Sequence, residues 1–217
     1  MKIALHLPVW KRLALTRACY VGLQRSMKEF KEEGYELEPW IGWTEPEHET
    51  LANEFGFHAV YCTNDDLGTK NQQLYEAMRE QEFDYFMQLG SDDFFLPGAA
   101  KMYAEYMPKH EFGGFRQIYF FRAKERDGTL IQGYPCGAGR WMSRRIIDAC
   151  PILWTSRQRG LDGMSYDYVF QATKLTPFYM PGCYLADVKT EVGISEYHRY
   201  DNDVYYLDEV IPEAYLI

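Results

Sequence analysis

The feature that most constrains this chain is an apolar segment that ends in two adjacent carboxylates. The apolar and aromatic run that begins at Phe83 stops at Gly90, and Asp92 and Asp93 follow at once. A short apolar run that ends at a glycine is typical of a buried strand in a parallel sheet. Carboxylates at the end of such a strand need a counter-charge, and one or two carboxylates are the usual protein ligands of Mg²⁺. The sequence therefore indicates a metal site, with an Asp-rich turn as the alternative.

Strands that alternate with helices are predicted before this segment. The hydrophobic spacing predicts strands at 2–7, 35–43, 59–62 and 83–89, and helices at 13–33, 45–54 and 70–81. Such alternation indicates βαβ units, so we expect an α/β fold with a mostly parallel sheet flanked by helices. A chain of 217 residues is consistent with a single domain. We expect residues 1–98 and 99–217 to form two halves of that domain.

The second half is less regular. Its pattern predicts helices at 99–107, 143–150 and 166–173 and strands at 115–122 and 129–134. The dipeptide Asp127-Gly128 is typical of a hairpin turn between those strands. A tail rich in Tyr and Asp follows residue 197, and we expect it to fold over a site.

Polar residues follow several of the predicted strands. In a doubly wound sheet, ligands bind outside the carboxyl ends of the strands. Arg12, Asn64, Lys70, Asp92 and Asp93 lie at or just after such ends. We therefore expect them to converge on one crevice, although they are far apart in sequence.

Composition excludes several classes of protein. The five cysteines are odd in number and lack CxxC spacing, which argues against a structural zinc site and a disulfide framework. A reducing, cytoplasmic setting is the expectation that follows. No apolar run is long enough to span a bilayer, so no integral membrane association is expected. The apolar share of 47% is that of an ordinary globular protein.

Basic residues are concentrated in one window of an acidic chain. The formal net charge is -9, yet residues 113–160 hold nine basic and three acidic residues, a net +6. Eight of the nine are arginines, whose forked guanidinium suits phosphate or carboxylate. The asymmetry indicates an anionic partner on one side of the molecule, and the alternative is a solvated face with internal ion pairs.

Four short motifs in this order resemble one enzyme family. They are Leu67-Gly68-Thr69-Lys70-Asn71 at a helix start, Gly90-Ser91-Asp92-Asp93 after a strand, Gly137-Ala138-Gly139, and Gly160-Leu161-Asp162. Over residues 1–195 the chain resembles the GT-A glycosyltransferases, specifically the small inverting enzymes of the family-2 type. The resemblance implies a GT-A fold and transfer of a sugar from a nucleotide-diphosphate donor, with UDP the expected nucleotide, to an acceptor hydroxyl.

The resemblance implies a metal site at the opening segment. Asp93 matches the last Asp of the family's Asp-x-Asp element and would bind Mn²⁺ or Mg²⁺. Ser91 replaces the first Asp, so its contacts with the ribose or the metal are expected to shift to Asp92. His198 is the candidate for a further metal ligand, because some relatives have a late histidine. The alternative for His198 is an ordinary surface histidine.

The same resemblance implies contacts with the nucleotide. Lys70 stands where the family has a basic residue that touches the nucleotide, and Asn71 follows it as in the family pattern. Arg12 lies in the first loop, near the place where the nucleotide docks. With Asn64, Ser91 and Asp92, these residues form the predicted donor-binding set.

Asp162 matches the family's catalytic carboxylate. A hydroxyl acceptor is a poor nucleophile until a base removes its proton, and a carboxylate of raised pKa suits that role. The usual Glu-Asp pair is Leu161-Asp162 in this chain. Asp167 is a rival base and Glu191 a weaker one, and a role for Asp162 in a turn or helix cap is the non-catalytic alternative.

By the resemblance, we expect residues 1–98 to be the nucleotide-sugar-binding half and residues 99–217, which hold the basic window and the C-terminal tail, to be the acceptor-binding half. Arg140, Trp141, Arg144 and Trp154 are the candidate acceptor-binding residues, because cations interleaved with aromatic rings suit a phosphate backbone and stacked bases. Both tryptophans have a core role as the alternative. We expect an acceptor such as hydroxymethylated bases in DNA, as in small viral sugar transferases, which would place the protein in a host cytoplasm. A surface polysaccharide or lipid-linked sugar is a rival acceptor, and a nucleotidyltransferase or a nucleotide-binding domain is the rival function.

Overall fold

The computed structural model describes residues 1–133, 136–190 and 203–217. The strands are β1 (Lys2–Pro8), β2 (Glu36–Trp43), β3 (His58–Tyr61), β4 (Tyr85–Gln88), β5 (Asp93–Phe95), β6 (Phe112–Phe115), β7 (Gln117–Arg122), β8 (Asp127–Gln132), β9 (Trp141–Ser143), β10 (Phe178–Met180), β11 (Leu185–Lys189) and β12 (Tyr205–Tyr206). The α-helices are α1 (Leu13–Glu32), α2 (Pro46–Glu54), α3 (Leu67–Arg79), α4 (Ala99–Tyr106), α5 (Arg144–Ala149), α6 (Leu161–Thr173) and α7 (Leu207–Val210), and short 3₁₀ helices span Met107–Lys109 and Ala214–Leu216.

A seven-stranded sheet forms the centre of the molecule. Its strand order is β10-β6-β9-β4-β1-β2-β3. Strands β1 to β4 are mutually parallel where they pair, and only β9 runs antiparallel to its neighbours. The inner residues of β1 are all buried, as expected for a strand that is covered on both faces. The predicted α/β fold with a mostly parallel sheet is confirmed.

A second sheet lies beside the first and brings a late strand to the opening segment. Its five strands have the order β12-β8-β7-β11-β5. Strand β11 pairs with β5 in an antiparallel register that sets Asp187 opposite Asp93. The backbone N–H of Val188 also donates to the Asp92 carbonyl, at 2.9 Å. Residues about a hundred positions apart in sequence are therefore held side by side by backbone pairing.

Helices α1 and α4 pack between the two sheets. The ring of Phe30 contacts Phe95 and Tyr103, with centroids 5.8 and 5.5 Å apart. The Tyr103 hydroxyl donates to the Gly139 carbonyl at 2.6 Å, which ties α4 to the glycine-containing segment before β9. Because these side chains are fully buried, the walls of the crevice described below stand on a packed core.

Two local predictions of the second half are wrong. The hairpin turn is not at Asp127-Gly128, because Asp127 already pairs with Arg122 across the ladder of β7 and β8. The turn spans residues 123–126, and its last residue, Arg126, takes a left-handed conformation with φ 57°. Helix α6 begins at Leu161 instead of residue 166. The candidate base therefore lies in the first turn of a helix.

None of the helices in the described part of the chain is both long and apolar enough to cross a membrane. Helix α1 has the length but carries charged residues along its exposed face.

Candidate active site

A crevice of about 780 Å³ opens at the carboxyl ends of β1 and β4. That volume is in the range of sites for small ligands. Nine of the residues that the sequence singled out line it: Arg12, Asn64, Lys70, Asn71, Ser91, Asp92, Asp93, Trp154 and Asp162. The folded chain thus brings together side chains from the two ends of a sequence interval of 150 residues.

Three carboxylates form a cluster in this crevice. Asp92 and Asp93 come from the segment after β4, and Asp187 comes from β11. One oxygen from each lies within 4.8 Å of the others. Asp93 and Asp187 are only 8% and 7% exposed, and they face each other across the antiparallel pair of β5 and β11. Like charges directly opposite each other destabilise a sheet, so the cluster is held by the fold in spite of its own repulsion.

The pKa values of the three carboxyl groups are shifted in different directions. Burial raises the pKa of Asp93 well above its usual range, and the nearby Asp187 and Asp92 add to the rise. Burial also raises the pKa of Asp187 to about 7, although the Lys189 ammonium opposes the rise. For Asp92, burial is outweighed by Lys189 and Arg12, so its pKa is lowered. Asp93 and Asp187 therefore tend to hold protons in place of a cation, and a bound divalent cation would displace those protons and favour the ionised carboxylates.

The donor set fits a divalent cation. Oxygen ligands lie roughly 2.0–2.6 Å from Mg²⁺ or Ca²⁺, so two oxygens on one ion are at most about 5 Å apart. The 4.8 Å limit within the cluster meets that condition. One oxygen of Asp187, Oδ1, is buried and has no hydrogen-bond partner among the described residues. A buried carboxylate oxygen without a partner is costly, and a bound cation would satisfy it.

Arg12 anchors the first loop to the cluster. Its guanidinium donates to Asp92 Oδ2 at 2.7 Å and to Ser91 Oγ at 3.0 Å. Lys11 and Arg12 both have left-handed backbones, with φ 52° and 49°. Such conformations cost about 1–3 kcal/mol for residues other than glycine and are concentrated at functional sites. Ser91, which departs from the family motif, thus serves here as an acceptor for an arginine.

Lys70 and Asn71 line the crevice but also support its frame. The Lys70 ammonium donates to the Val9 carbonyl and to Thr44 Oγ1, the latter at 2.8 Å, and its side chain is fully buried. Burial lowers the pKa of Lys70. The Asn71 side chain donates to the Leu67 carbonyl at 2.7 Å. In this structure the Lys70 side chain therefore holds the loop after β1 against α3, whereas the Asn71 side chain bonds within α3 itself.

Trp154 closes the crevice on its apolar side. Its indole stacks on the His6 ring with centroids 5.0 Å apart and is 1% exposed. Burial lowers the pKa of His6 to about 4, so this imidazole is neutral near pH 7. Trp154 is thus a buried wall of the crevice.

Asp162 lies in the first turn of α6 against Gly137. A Cβ on Gly137 would stand 1.9 Å from Asp162 Oδ1, so only glycine leaves space for this carboxylate. Arg140 is buried, and its Nη1 donates to the Asp162 carbonyl and to Ser165 Oγ, both at 2.8 Å. Arg140 therefore joins the segment before β9 to the start of α6. The structure places it behind the candidate base, whereas the sequence suggested contact with an acceptor.

We expect Gly137→Ala to displace the Asp162 carboxylate and to lower the rate of any reaction that depends on it by about a hundredfold, because a misplacement of about 1 Å can have that effect. Gly163→Ala is the matched control, since its Cβ would meet nothing within 4 Å. That control should raise the melting temperature slightly, because alanine favours a helix interior. Turnover by each variant and its melting curve provide the measurement. Equal turnover in both variants would show that the position of Asp162 is unimportant.

The segment 155–160 is fastened over the start of α3. Asp66 accepts from Ser156 Oγ at 2.6 Å, from the Arg157 N–H at 2.8 Å and from the Thr69 N–H at 2.8 Å. A Cβ on Gly68 would lie 2.0 Å from the Thr155 carbonyl oxygen, so glycine is needed for this close approach. These contacts fix the segment that supplies Gln158 and Arg159 to the crevice.

Other predicted residues lie elsewhere. Trp141 is fully buried, and its Nε1 donates to the His110 carbonyl at 2.9 Å. Arg144 pairs with Asp148 at 2.8 Å and lines a different surface depression, beside Phe83. Neither side chain lines the crevice, so their predicted role in acceptor binding is not supported. His198 and Glu191 lie outside the described residues.

Four of the eight arginines of the basic window form ion pairs with acidic partners among the described residues. Ion pairs join Arg122 to Asp127, Arg126 to Asp208, Arg144 to Asp148 and Arg145 to Glu111. Asp127 and Asp148 are already counted in the net +6, whereas Asp208 and Glu111 lie outside the window, so internal ion pairs account for part of that charge. Arg157 and Arg159 differ, because they are exposed on the fastened segment and form no ion pair with the described residues.

Sequence reasoning missed Asp187 and Lys189. Both lie in β11 and line the crevice. The available signal was a charged residue between Ala186 and Val188 within an apolar strand pattern, since acids are rarely buried without a partner. The cluster also unites the two predicted halves, because Asp187 comes from the half that was expected to bind the acceptor.

Comparison with known proteins places this architecture in a fold class. No family model matches the sequence, and no curated protein sequence matches it. Solved structures that resemble it include GT-A-type nucleotide-diphospho-sugar transferases, and the chain has the fold of that class.

Two such structures illustrate the likeness. One is residues 1–349 of S. aureus TarS in complex with UDP-GlcNAc, with a TM-score of 0.55 and 10% identity over 89% of this chain and 60% of that one. The other is glucosyl-3-phosphoglycerate synthase from Mycobacterium tuberculosis in complex with Mn²⁺ and UDP-glucose, with a TM-score of 0.51 and 14% identity over 93% of this chain and 72% of that one. The chain thus spans 60% of the TarS fragment. At these identities the likeness concerns the fold alone.

Proposed function

We propose that this protein is a metal-dependent glycosyltransferase that moves a sugar from a nucleotide-diphosphate donor to an acceptor hydroxyl. The observation that carries the proposal is the cluster of Asp92, Asp93 and Asp187 in a crevice of about 780 Å³. Such a cluster suits a cation that carries a diphosphate. The fold supports the same function, because its two neighbours named above were solved with UDP-sugars.

The donor side of the crevice meets the needs of a diphosphate leaving group. Mn²⁺ or Mg²⁺ held by Asp92, Asp93 and Asp187 would neutralise the negative charge that grows on the phosphate oxygens. Arg12 and Lys189 stand beside the cluster and would bind the same oxygens. Asn64, Lys70 and Asn71 line the same crevice and would position the nucleoside, which we propose to be uridine. The support for this proposal is the fold, whose two neighbours named above were solved with UDP-sugars, together with the residues that line the crevice.

The acceptor side needs one base, and Asp162 is our candidate. Its carboxylate borders the crevice that holds the acid cluster, and Gly137 and Arg140 determine its position. It would take the proton of the acceptor hydroxyl as the sugar transfers, which favours attack from the face opposite the leaving group and inversion at the sugar carbon. The rival Asp167 is exposed on α6 and is not among the residues that line the crevice.

The acceptor hydroxyl would belong to a molecule that also carries anionic groups. Arg157 and Arg159 are exposed on the segment 155–160, whose backbone Asp66 fastens, so the two cations project from a fixed support. DNA with hydroxymethylated bases is one such acceptor. Ion pairing within the basic window weakens the case for an extended DNA surface, and a smaller phosphate-bearing or carboxylate-bearing acceptor needs only these two arginines.

A melting assay tests the function directly. The protein is heated with Mn²⁺ alone, with nucleoside diphosphates alone, and with Mn²⁺ plus a panel of nucleotide-sugars. We expect one nucleotide series to raise the melting temperature only when Mn²⁺ is present, because a ligand at a hundredfold excess over its Kd stabilises by about 2.7 kcal/mol. No shift with any nucleotide would overturn the proposal. A shift without transfer to any acceptor or to water would favour a nucleotide-binding domain.

Binding of duplex DNA at several salt concentrations tests the acceptor. Phosphate contacts make such binding steeply dependent on salt. An absence of salt-dependent binding below roughly millimolar concentrations of duplex would exclude DNA.

A further inference from the structure

A lysine ammonium already stands inside the carboxylate cluster. Lys189 Nζ forms an ion pair with Asp187 Oδ2 and lies 3.6 Å from Asp92 Oδ2. Its side chain is only 11% exposed, and its ammonium lies 5.1 Å from the centroid of the Phe120 ring. Three carboxylates and two cations, Arg12 and Lys189, therefore meet in one small volume.

The two cations are held differently. The Arg12 guanidinium binds Asp92 and Ser91 together, so its planar fork has two fixed acceptors. Lys189 is a compact charge on a flexible stem, and its acceptors are carboxylates that also belong to the metal-binding set. Of the two carboxylate oxygens of Asp187, Oδ2 pairs with the ammonium. The other oxygen, Oδ1, is buried and has no hydrogen-bond partner among the described residues. Lys189 and a divalent cation would thus repel each other while using the same carboxylate.

We infer that Lys189 is an exchangeable counter-ion. Its ammonium neutralises Asp187 and Asp92 while the cation is away, and a divalent cation that takes over these oxygens turns the ammonium toward the donor diphosphate. The inference rests on the proposed function and adds to it the role of one residue. The physical reason is that a divalent cation satisfies Asp187 better than a single ammonium does, whereas the displaced ammonium gains phosphate oxygens nearby. The alternative is a permanent ion pair that only supports the fold.

Two predicted changes of opposite sign separate these alternatives. Lys189→Met keeps the length of the stem and removes the charge. We expect it to bind Mn²⁺ on the order of tenfold more tightly than the wild type, because the repelling ammonium is gone. We also expect its affinity for UDP at saturating Mn²⁺ to fall on the order of tenfold, because a phosphate contact is lost. A permanent ion pair would produce no gain in Mn²⁺ affinity.

The deciding experiment is titration with Mn²⁺ alone, followed by electron paramagnetic resonance of the free ion, on the full chain. Lys189→Gln is the second variant, and Lys189→Arg should restore most of the UDP affinity at saturating Mn²⁺. Melting curves identify any variant that does not fold. In the wild type, UDP should also raise Mn²⁺ affinity more than it does in Lys189→Met, because only the wild type has an ammonium to move.

The outcomes distinguish this inference from the proposed function. Unchanged or weaker Mn²⁺ binding in both uncharged variants, with a wild type that binds Mn²⁺ and UDP, would overturn the inference and leave the glycosyltransferase proposal standing. A wild type that binds neither Mn²⁺ nor any nucleoside diphosphate would overturn both. Tighter Mn²⁺ binding together with weaker UDP binding would support both.

Discussion

Replacing Asp93 with Asn should abolish stabilisation by Mn²⁺ and lower the turnover of nucleotide-sugar by about 10³-fold, which corresponds to about 4 kcal/mol of transition-state stabilisation. The amide keeps the size of the side chain and can still accept from the Gly90 N–H, a bond of 2.6 Å in the wild type. It removes the negative charge that a divalent cation needs from a carboxylate ligand. The loss should therefore reflect metal and donor binding, with the local fold preserved.

The same substitution should raise the stability of the metal-free protein. Asp93 faces Asp187 across the β5–β11 pair, and burial together with both neighbouring carboxylates raises the pKa of Asp93. Asparagine cannot ionise, so it avoids the cost of keeping Asp93 protonated in the fold. The melting temperature without metal should therefore exceed that of the wild type at pH values above the ordinary Asp pKa of 3.8. Asp65→Asn is the control, because Asp65 is exposed and lies outside the cluster. An Asp93→Asn protein that keeps Mn²⁺-dependent turnover would exclude Asp93 as a ligand.

Replacing Asp162 with Asn should lower turnover by about 10²–10⁴-fold, the range that a general base contributes. Donor binding should stay within a few-fold of the wild type, because Asp162 is not a member of the carboxylate cluster. Asp167→Asn, on the same helix, should behave as the wild type, since its side chain is exposed and does not line the crevice. Turnover, together with the Mn²⁺-dependent melting shift with UDP, measures the two effects separately.

If Asp167→Asn loses turnover and Asp162→Asn does not, the base is Asp167. If both variants turn over like the wild type, the proton acceptor lies elsewhere, and the assignment of Asp162 fails. A loss of the UDP-dependent melting shift in Asp162→Asn would instead show that Asp162 contributes to donor binding.

Much of the fold follows from local patterns. Strand β1 and helix α1 were predictable because burial on both faces produces a continuous apolar run, and burial on one face produces helical spacing. The rule that ligands bind at the carboxyl ends of parallel strands placed Arg12 and Asp93 in one crevice without any knowledge of distances. Local turn chemistry was less reliable, as the hairpin at Arg126 shows, because the cross-strand register decided where the turn lies.

The sequence by itself determined that Asp92 and Asp93 need a counter-charge, because a buried strand that ends in acids needs one in any tertiary context. Only the tertiary structure decided that Asp187 completes the cluster and that Lys189 stands within it. Both depend on the pairing of β11 with β5, a contact between segments that are distant in sequence and carry no shared motif. The space for the Asp162 carboxylate beside Gly137 is likewise a matter of packing, since no periodicity encodes a distance between two loops.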